Sequence, residues 1–531
     1  MIDGVVVGSG PNGLVAANVL ADAGWRVTVV EEQDEPGGAV KSGEITVPGF
    51  THDLFSAFYP LGAASPVIGK LELERWGLRW RRSDGVVAHP LQDGSCALLS
   101  VDLEETMASL DAYHAGDGRA WRELYGLYEL IGADLLAGLM TPFPPVRAGA
   151  RMALKLDREL LRFMRFGMLP VRRLAEERFE GDGAANLLAG NALHADLTPD
   201  QPGSALFGWL LCMLGQRCGF PVPEGGAGKL TGALVRRLQA AGGEVVCGRR
   251  VTEVLVRDGR AAGVRAGGEE IHAGRAVLAD TGAPQLYLEL MPREHVPERV
   301  VDDLENFQYD ASTVKVDWAL DAPIPWTATA ARRAGTIHIA EGLDALTQVT
   351  AEIMTREIPA RPFLILGQYS MVDPTRAPDG KETAWGYTHV PQRIEGDAGG
   401  SLTGDWENED EVAEFVARME DEVERRAPGF KASILGRHVF TPPLLERANR
   451  NLQGGAVNGG TAQLHQQLVF RPTPGLGRPE TPIRGLYLAS SSAHPGGGVH
   501  GGPGGNAART ALAHDRVRRL TSVPRRIRPG A

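Results

Sequence analysis

The sequence predicts an α/β protein, α+β overall, in which a discontinuous Rossmann-like domain carries an inserted domain of mixed sheet and helices. Three observations lead to this fold. The chain opens on a strand–turn–helix–strand pattern with spaced glycines, a hydrophobic strand near its end is followed by a glycine-rich loop and a helix, and long segments of different character lie between. A length of 531 residues leaves room for about two to four structural units.

The composition indicates a globular protein without a nucleic-acid partner or a metal site. A formal net charge of −11 argues against binding to nucleic acid. No apolar run reaches the roughly 18 residues of a membrane-spanning helix, and no basic leader precedes the first strand, so we expect a cytoplasmic protein. The cysteines form no CxxC pair and no zinc pattern, which is typical of a reducing compartment. They are Cys96, Cys212, Cys218 and Cys247.

The N-terminal pattern predicts a dinucleotide site. A short buried strand over 5–7 leads into the turn 8–13 (Gly-Ser-Gly-Pro-Asn-Gly), followed by a helix over 14–23 and a second strand over 26–31. A lone GxGxxG carries little weight, but here it stands between a strand and a helix, with an acidic residue at the end of the next strand. A dinucleotide therefore binds at this turn.

Each residue type in this turn has a physical reason. Gly8 allows the tight turn, Gly10 lets backbone N–H groups approach a pyrophosphate, and Gly13 packs the helix on the strand. The phosphates then lie at the positive end of the helix dipole. Glu31 accepts hydrogen bonds from a ribose and would repel the 2′-phosphate of NADP. We therefore expect contacts to the dinucleotide from Gly8, Gly10, Pro11, Asn12, Gly13 and Glu31.

A second glycine-rich segment predicts a surface for a planar ligand. Residues 485–489 form a hydrophobic strand, seven of the ten residues over 496–505 are glycine, and 506–520 has a helical pattern. Such a loop lets backbone lie flat against a ligand and aims another helix N-terminus at it. His494 and His500 lie in this loop, where an imidazole is able to hydrogen-bond a flavin or meet a substrate.

Together these motifs resemble those of the phytoene desaturase-like flavoproteins, which are FAD oxidoreductases related to carotenoid desaturases and, more distantly, to flavin amine oxidases. Residues 47–50 (Val-Pro-Gly-Phe) and the HPGGGVHGGPGGNA run over 494–507 are most similar to the branch of pyridine nucleotide-disulfide oxidoreductase domain-containing protein 2. The resemblance includes both ends and 223–283, hence nearly the whole chain. It implies non-covalent FAD on a domain of the glutathione reductase type.

The resemblance also implies further FAD contacts and domain boundaries. The further contacts are Glu32, Gly37, Gly38, Val251, His494, Pro495, Gly497, Gly498, Val499 and His500. The implied FAD-binding domain comprises 1–70, 222–290 and 480–520. The implied substrate-binding domain, with a helical insertion, comprises 71–221 and 291–479. Residues 521–531 form a basic tail.

A strand in the second insertion presents a candidate catalytic lysine. Apolar residues alternate with polar ones over 311–320, so that Lys315 and Asp317 share one face. By resemblance to flavin amine oxidases, Lys315 followed by Pro323 and Trp326 holds water beside flavin N5, where a lysine stabilises negative charge or positions oxygen. A solvated strand lysine is the equal alternative. His494 and His500 complete the catalytic candidates.

Two further features have both a functional and a structural interpretation. His194 and Asp196 precede the apolar segment 205–211 and form either an acid–base pair or a structural contact. Apolar residues recur at helical spacing over 152–163 beside a basic stripe. This helix either rests on an anionic membrane, which makes the protein peripheral to it, or packs on the core, which base rates favour.

These observations predict a FAD-dependent dehydrogenase or desaturase that acts on CH–CH groups of a lipophilic, polyene or isoprenoid-like substrate. Electrons leave to O2, a quinone or a redox protein, since the chain has neither a further glycine turn to hold a nicotinamide nor a redox-active cysteine pair. The alternatives are a flavin amine oxidase, for which the loops 490–492 and 497–499 lack aromatic residues, a redox-neutral isomerase and a non-catalytic FAD-bearing partner protein. The pattern leaves the oligomeric state open.

Overall fold

The computed structural model describes residues 2–522, and its first unit is a parallel sheet of five strands. Three separate parts of the chain contribute to this sheet, which confirms the predicted α/β class and the discontinuous Rossmann-like domain. In spatial order the strands are Leu486–Leu488, Ala276–Ala279, Gly4–Val7, Val27–Val30 and Glu244–Val246. All are short and apolar, as expected for parallel strands that are covered on both faces.

Helices cover one face of the parallel sheet and a smaller sheet covers the other. The helices are Pro11–Asp22, Gly228–Ala240 and Gly502–Ser522. The opposite face packs on an antiparallel sheet and a π-helix, which are Val251–Arg257, Arg260–Ala266, Glu269–His272 and Gln285–Leu290. Along Gly4–Val7, Val6 contributes to the helical side, whereas Val5 and Val7 contribute to the other side.

The second unit is a mixed sheet of seven strands. Within this sheet, as far as the chain is described, the only parallel pair is Gly85–Pro90 with Ala334–Ile339. In spatial order the strands are Ile434–Phe440, Ser312–Leu320, Glu382–Val390, Leu364–Gln368, Ala334–Ile339, Gly85–Pro90 and Cys96–Ser100. Two-stranded pairs complete the sheet structure: Ser42–Gly43 with His52–Asp53, Trp80–Arg81 with Val222–Pro223, and Glu357–Ile358 with Gly396–Asp397.

Helices cover both faces of this mixed sheet. One face packs on an inserted helical layer made of Leu103–Asp111, Asp117–Leu139, Val146–Leu156, Leu160–Phe166, Val171–Arg178, Asp182–Leu193 and Ser204–Cys218. The other face packs mainly on Glu409–Glu424. The remaining helices are Pro60–Ala64, Pro66–Gly69, Glu298–Glu305, Leu343–Met354, Tyr369–Val372 and Pro442–Ala448.

The strand Ser312–Leu320 shows the predicted alternation. Val314, Val316 and Trp318 lie in the core against Glu409–Glu424, while Lys315 faces the opposite side of the sheet. The apolar stripe over 152–163 packs on the core, whereas other apolar side chains of the same helices are exposed. Among residues 2–522, no helix has both the length and the apolar character needed to cross a bilayer. Most of the predicted basic tail lies outside the described residues.

A buried arginine joins the two units. The guanidinium of Arg376 forms ion pairs with Asp53 and Asp373, each at 3.0 Å, and none of these side chains is exposed. Asp53 also accepts a hydrogen bond from Ala227 N and Asp373 accepts one from Gly225 N, both at 2.7 Å. The segment that precedes helix Gly228–Ala240 is thus fixed to the second unit by charge-assisted hydrogen bonds.

Replacing Arg376 with methionine tests this junction. The variant leaves two buried carboxylates without their partner, so we expect the free energy of unfolding to decrease by about 3–5 kcal/mol. Urea unfolding followed by tryptophan fluorescence measures this change. Arg75→Met is the matched control, because the Arg75–Glu72 pair is 75% and 60% exposed and its loss changes stability by less than about 0.5 kcal/mol. Equal effects of the two variants would contradict the junction.

Candidate functional site

One cavity extends from the glycine turn of the parallel sheet to the polar face of the mixed sheet. Its volume is about 520 Å³, and residues of both units line it. Gly8, Glu31 and Asp280 line one end, each just after a strand of the parallel sheet. The carboxyl ends of parallel strands are where ligands bind in open α/β sheets. The cavity is therefore the candidate functional site.

The glycine turn has no room for side chains. A Cβ built on Gly13 would lie 2.2 Å from Gly8 O, so that only glycine allows the helix Pro11–Asp22 to approach the strand so closely. A Cβ on Gly10 would lie 2.6 Å from a carboxylate oxygen of Asp280. Pro11 and Asn12 line the cavity at the start of this helix. Bare backbone and a helix N-terminus are what a pyrophosphate requires.

Glu31 is buried and held in a fixed orientation at the cavity wall. One of its carboxylate oxygens accepts hydrogen bonds from Ser9 N at 2.8 Å and Ser9 Oγ at 2.5 Å. The other accepts a hydrogen bond from Gln33 N at 2.9 Å. These bonds aim the carboxylate beside the glycine turn, where a ribose would lie. Glu32 and Val251 line the same end of the cavity.

The turn after the second strand packs against the first glycine turn. Gly37 N donates to Ser9 O at 3.1 Å. Gly38 lines the cavity, and a Cβ at Gly38 would lie 2.8 Å from Gly10 Cα. Gly37 is not among the lining residues and contributes through this backbone contact.

Asp280 is a site residue that the sequence reasoning missed. Its side chain accepts a hydrogen bond from Gly13 N at 2.8 Å. Burial, and to a lesser extent the charge of Glu31, raises the pKa of Asp280 to about 7. The available signal was its position directly after the buried strand Ala276–Ala279, at the sheet edge that also carries the glycine turn.

The C-terminal loop 495–500 forms another part of the cavity wall. We call this loop, the glycine turn 8–13 and Glu31 together the dinucleotide cradle. Pro495, Gly497, Gly498 and Val499 line the cavity together with His500. Both ring nitrogens of His500 are used by backbone: Nε2 lies 3.0 Å from Gly497 O and Nδ1 accepts a hydrogen bond from Gly502 N at 3.0 Å. Burial lowers the pKa of His500 to about 4. The imidazole is therefore neutral and holds the loop in shape.

His494 lies behind this loop and is not among the residues that line the cavity. Its ring packs edge-on against Phe143, with centroids 6.2 Å apart. Burial lowers the pKa of His494 to about 4. Of the two histidines that the sequence predicts at the cofactor, only His500 therefore lines the cavity.

Lys315 is buried at the cavity wall. Its Nζ forms an ion pair with Asp317 and lies 5.7 Å from the ring centre of Phe440. The structure does not bring Trp326 to this lysine, because Trp326 lies in the core on the opposite side of the mixed sheet and donates to Gln368 Oε1 at 2.9 Å. Pro323 is exposed. The arrangement expected from amine oxidases is therefore not reproduced.

His194 and Asp196 do not pair with each other. His194 lines the cavity, and its Nε2 lies 2.9 Å from Nε2 of His338. Asp196 instead pairs with His389 at 2.9 Å. Burial lowers the pKa of His194 to about 4, whereas the charge of Asp196 raises the pKa of His389 against the effect of burial. His194 is thus a neutral imidazole at the cavity wall.

The far half of the cavity is mostly apolar and aromatic, and Lys315 and His194 are polar residues in its wall. Trp385 and Tyr387 stack with centroids 5.6 Å apart and an interplanar angle of 8°. Further apolar lining residues include Phe58, Leu135, Leu139, Leu206, Phe207, Leu210, Leu211 and Phe220. Most of them come from the inserted helices, whose partners along the chain could not be assigned from the sequence.

The residues of the cavity fit a dinucleotide with a planar ring system. Any side chain in the glycine turn would occupy the space that a pyrophosphate needs, and the glycine loop presents bare backbone. Asn12 Oδ1 is buried without a hydrogen-bond partner in the described chain. Within residues 2–522, no group of three or more His, Cys, Asp or Glu side chains is arranged to hold a metal ion. The bare backbone of the two glycine segments and the unpaired Asn12 Oδ1 suit an organic cofactor.

Comparisons with known proteins agree with this site. The family model for an NAD(P)-binding Rossmann-like domain matches residues 6–69. Pyridine nucleotide-disulfide oxidoreductase domain-containing protein 2 from Mus musculus is 30% identical, covering 95% of this chain and 92% of that protein. A limonene dehydrogenase polypeptide of Castellaniella defragrans is 24% identical, covering 96% of this chain and 94% of that protein. A neurosporene-forming phytoene desaturase from Cereibacter sphaeroides is 26% identical, covering 97% and 95%.

A solved structure shares the fold over the whole chain. An oxidoreductase from Methanosarcina mazei aligns with a TM-score of 0.61 and 18% identity, covering 96% of this chain and 100% of that chain. The family follows from the sequence relatives, and the fold agrees with it. The chain belongs to the phytoene desaturase-like FAD-dependent oxidoreductases, in the branch of pyridine nucleotide-disulfide oxidoreductase domain-containing protein 2.

Proposed function

We propose that the protein is a dehydrogenase that introduces a double bond into a lipophilic, polyene or isoprenoid-like substrate with non-covalently bound FAD. One observation carries this proposal: a single cavity is lined at one end by the dinucleotide cradle and at the other by apolar side chains. An apolar pocket that is continuous with a redox cofactor suits a substrate that offers only C–H bonds. The relatives named for limonene and phytoene support this substrate class.

Different residues of the cradle would bind different parts of the cofactor. Gly10, Asn12 and the start of helix Pro11–Asp22 would hold the pyrophosphate, Glu31 the ribose, and the loop 497–500 the ring system. When bound, FAD would supply the acceptor for a hydride from one sp³ carbon, while the proton of the neighbouring carbon leaves to a base or to water. No cysteine in the described chain lines the cavity, and both ring nitrogens of His500 are engaged by backbone, which supports non-covalent binding.

The chain's own residues orient the substrate and keep water out. Trp385, Tyr387 and the inserted helices provide a flat, apolar wall on which an extended hydrocarbon packs. Lys315, paired with Asp317, places a cation at this wall, where it stabilises negative charge or positions oxygen. His500 positions the glycine loop, and His494 supports it from behind. The electron acceptor is O2, a quinone or a redox protein.

A cavity-filling variant tests the substrate assignment. Leu206 lines the cavity from helix Ser204–Cys218, and Leu206→Trp fills the apolar half. We expect the variant to keep its FAD spectrum but to lose at least about tenfold in the rate of anaerobic flavin bleaching by terpenoid hydrocarbons. Leu520→Trp, at a side chain that is 77% exposed and outside the cavity, is the matched control and keeps the wild-type rate.

The same assay separates the alternative functions. Bleaching by primary amines and not by hydrocarbons would indicate an amine oxidase, and product without net bleaching would indicate an isomerase. A flavin that no member of either panel reduces would contradict catalysis of this kind and would favour a FAD-bearing partner protein.

We also propose that the segment 146–168 rests on an anionic membrane, from which the substrate enters. This segment contains six basic and two acidic residues. Five of its apolar side chains are 58–82% exposed: Val146, Leu154, Leu161, Met164 and Met168. It adjoins the cavity, because Gly203 N, at the start of the Leu206 helix, donates to Met168 O at 3.2 Å. Exposed apolar side chains beside a basic surface match a lipid headgroup boundary.

Vesicle sedimentation tests this surface. We expect the protein to bind vesicles that contain phosphatidylserine and not vesicles of phosphatidylcholine alone, because both apolar contact and charge are required. Leu154→Asp with Leu161→Asp abolishes binding. Met354→Asp, at a side chain that is 67% exposed and lies outside this segment, is the control and keeps the binding. Binding that is unaffected by the double substitution would contradict the proposed surface.

A further inference from the structure

The loop 457–461 is held between two buried charged side chains. On one side the carboxylate of Asp310 accepts hydrogen bonds from three N–H groups of this loop, at 2.8, 2.8 and 3.3 Å. On the other side the guanidinium of Arg471 donates to three of its carbonyls, at 3.1, 3.3 and 2.9 Å. Asp310 is 3% exposed and Arg471 is not exposed at all. The loop is therefore fixed on both of its sides.

The charge of Arg471 has no ion-pair partner among residues 2–522. Its acceptors are backbone carbonyls only, including Ser491 O at 3.0 and 2.7 Å. Burial lowers the pKa of Arg471 to about 10, so that the guanidinium still carries its charge at neutral pH. Burial raises the pKa of Asp310 to about 7, so its opposing charge is incomplete there. The guanidinium is thus a buried charge without a direct counter-ion among the described residues.

This charge lies directly behind the wall of the FAD cradle. A Cβ built on Gly496 would lie 3.3 Å from the guanidinium carbon of Arg471. Arg471 also lowers the pKa of His494 and of His500, although burial is the larger cause for both. Its field therefore reaches the glycine loop that faces the planar end of the cofactor.

The loop also presents a backbone donor. Asn458 O faces Arg471, and the N–H of Gly459 belongs to the same planar peptide, so it points away from the guanidinium. Within the described residues this N–H has no acceptor. Gly459 lines the cavity, and a Cβ there would lie 2.1 Å from Ser491 Oγ, which keeps the backbone bare. A free amide donor is thus backed by a buried cation.

We propose that Arg471 is a positioning residue that, through the loop 457–461, holds an amide donor and a positive charge against the flavin ring system and stabilises the reduced, negatively charged flavin. The inference rests on the proposed function, because it requires bound FAD. Fixed donors and charges act strongly where negative charge develops in a water-poor site, since they need no reorganisation. The reduction potential of the bound flavin is the property that Arg471 controls.

The midpoint potential of the flavin in the holoprotein tests this role. Titration with xanthine, xanthine oxidase and a reference dye measures the potential. Arg471→Gln is expected to lower the preference for reduced over oxidised FAD about tenfold, which corresponds to about 30 mV for a two-electron couple. Arg471→Lys keeps the charge and most of the wild-type potential. Asp310→Asn removes the opposing charge and raises the potential.

The midpoint potential is expected to fall in Arg471→Gln and to rise in Asp310→Asn. These opposite shifts distinguish an effect of charge from one of loosened packing, since loosening would shift the potential of both variants in the same direction. Arg426→Gln is the matched control, because Arg426 is 2% exposed and lies on the far side of the mixed sheet. The flavin potential of this variant is expected to equal that of the wild type.

An Arg471→Gln holoprotein with the wild-type potential, or a lowered potential in Asp310→Asn, would overturn the inference. If Arg471→Gln retains no FAD, the sign of the shift in Asp310→Asn and the retained potential of Arg471→Lys decide. A wild-type protein that binds no FAD would instead refute the proposed function.

Discussion

The close approach of one helix to one strand is the constraint on which the site depends. Gly13 allows the helix Pro11–Asp22 to lie so near the strand Gly4–Val7 that any Cβ would meet Gly8 O at 2.2 Å. This contact places the helix N-terminus at the carboxyl edge of the parallel sheet, beside Glu31 and Asp280. The cradle is therefore a consequence of backbone packing, and its polar side chains only complete it.

The second requirement is that two sheets enclose one cavity. Arg376 fixes the segment before helix Gly228–Ala240 to the mixed-sheet unit through carboxylates that are fully buried. Arg471 fixes the loop 457–461 to Ser491, which precedes the glycine-rich loop. Arg376 joins segments far apart in sequence, whereas the partners of Arg471 lie within 20 residues of it. The chemistry of the site thus relies on buried guanidinium groups that never line the cavity themselves.

The sequence could predict the parts of the site whose geometry is local. The glycine turn, Glu31 and the C-terminal glycine loop each depend on a few adjacent residues, and the alternation over 311–320 correctly gave the face of Lys315. Contacts across long separations could not be predicted. Asp196 pairs with His389 rather than His194, and Trp326 lies on the opposite side of the sheet from Lys315. Register and strand order decide these contacts, and neither leaves a local pattern.

The visible absorption spectrum of the purified protein, with identification of any flavin released by heat, tests the central claim most directly. The cradle and the continuous apolar cavity predict a flavin spectrum with two bands and the release of intact FAD without protease. A colourless protein that cannot be reconstituted with FAD would contradict the account, including the roles given to both glycine loops.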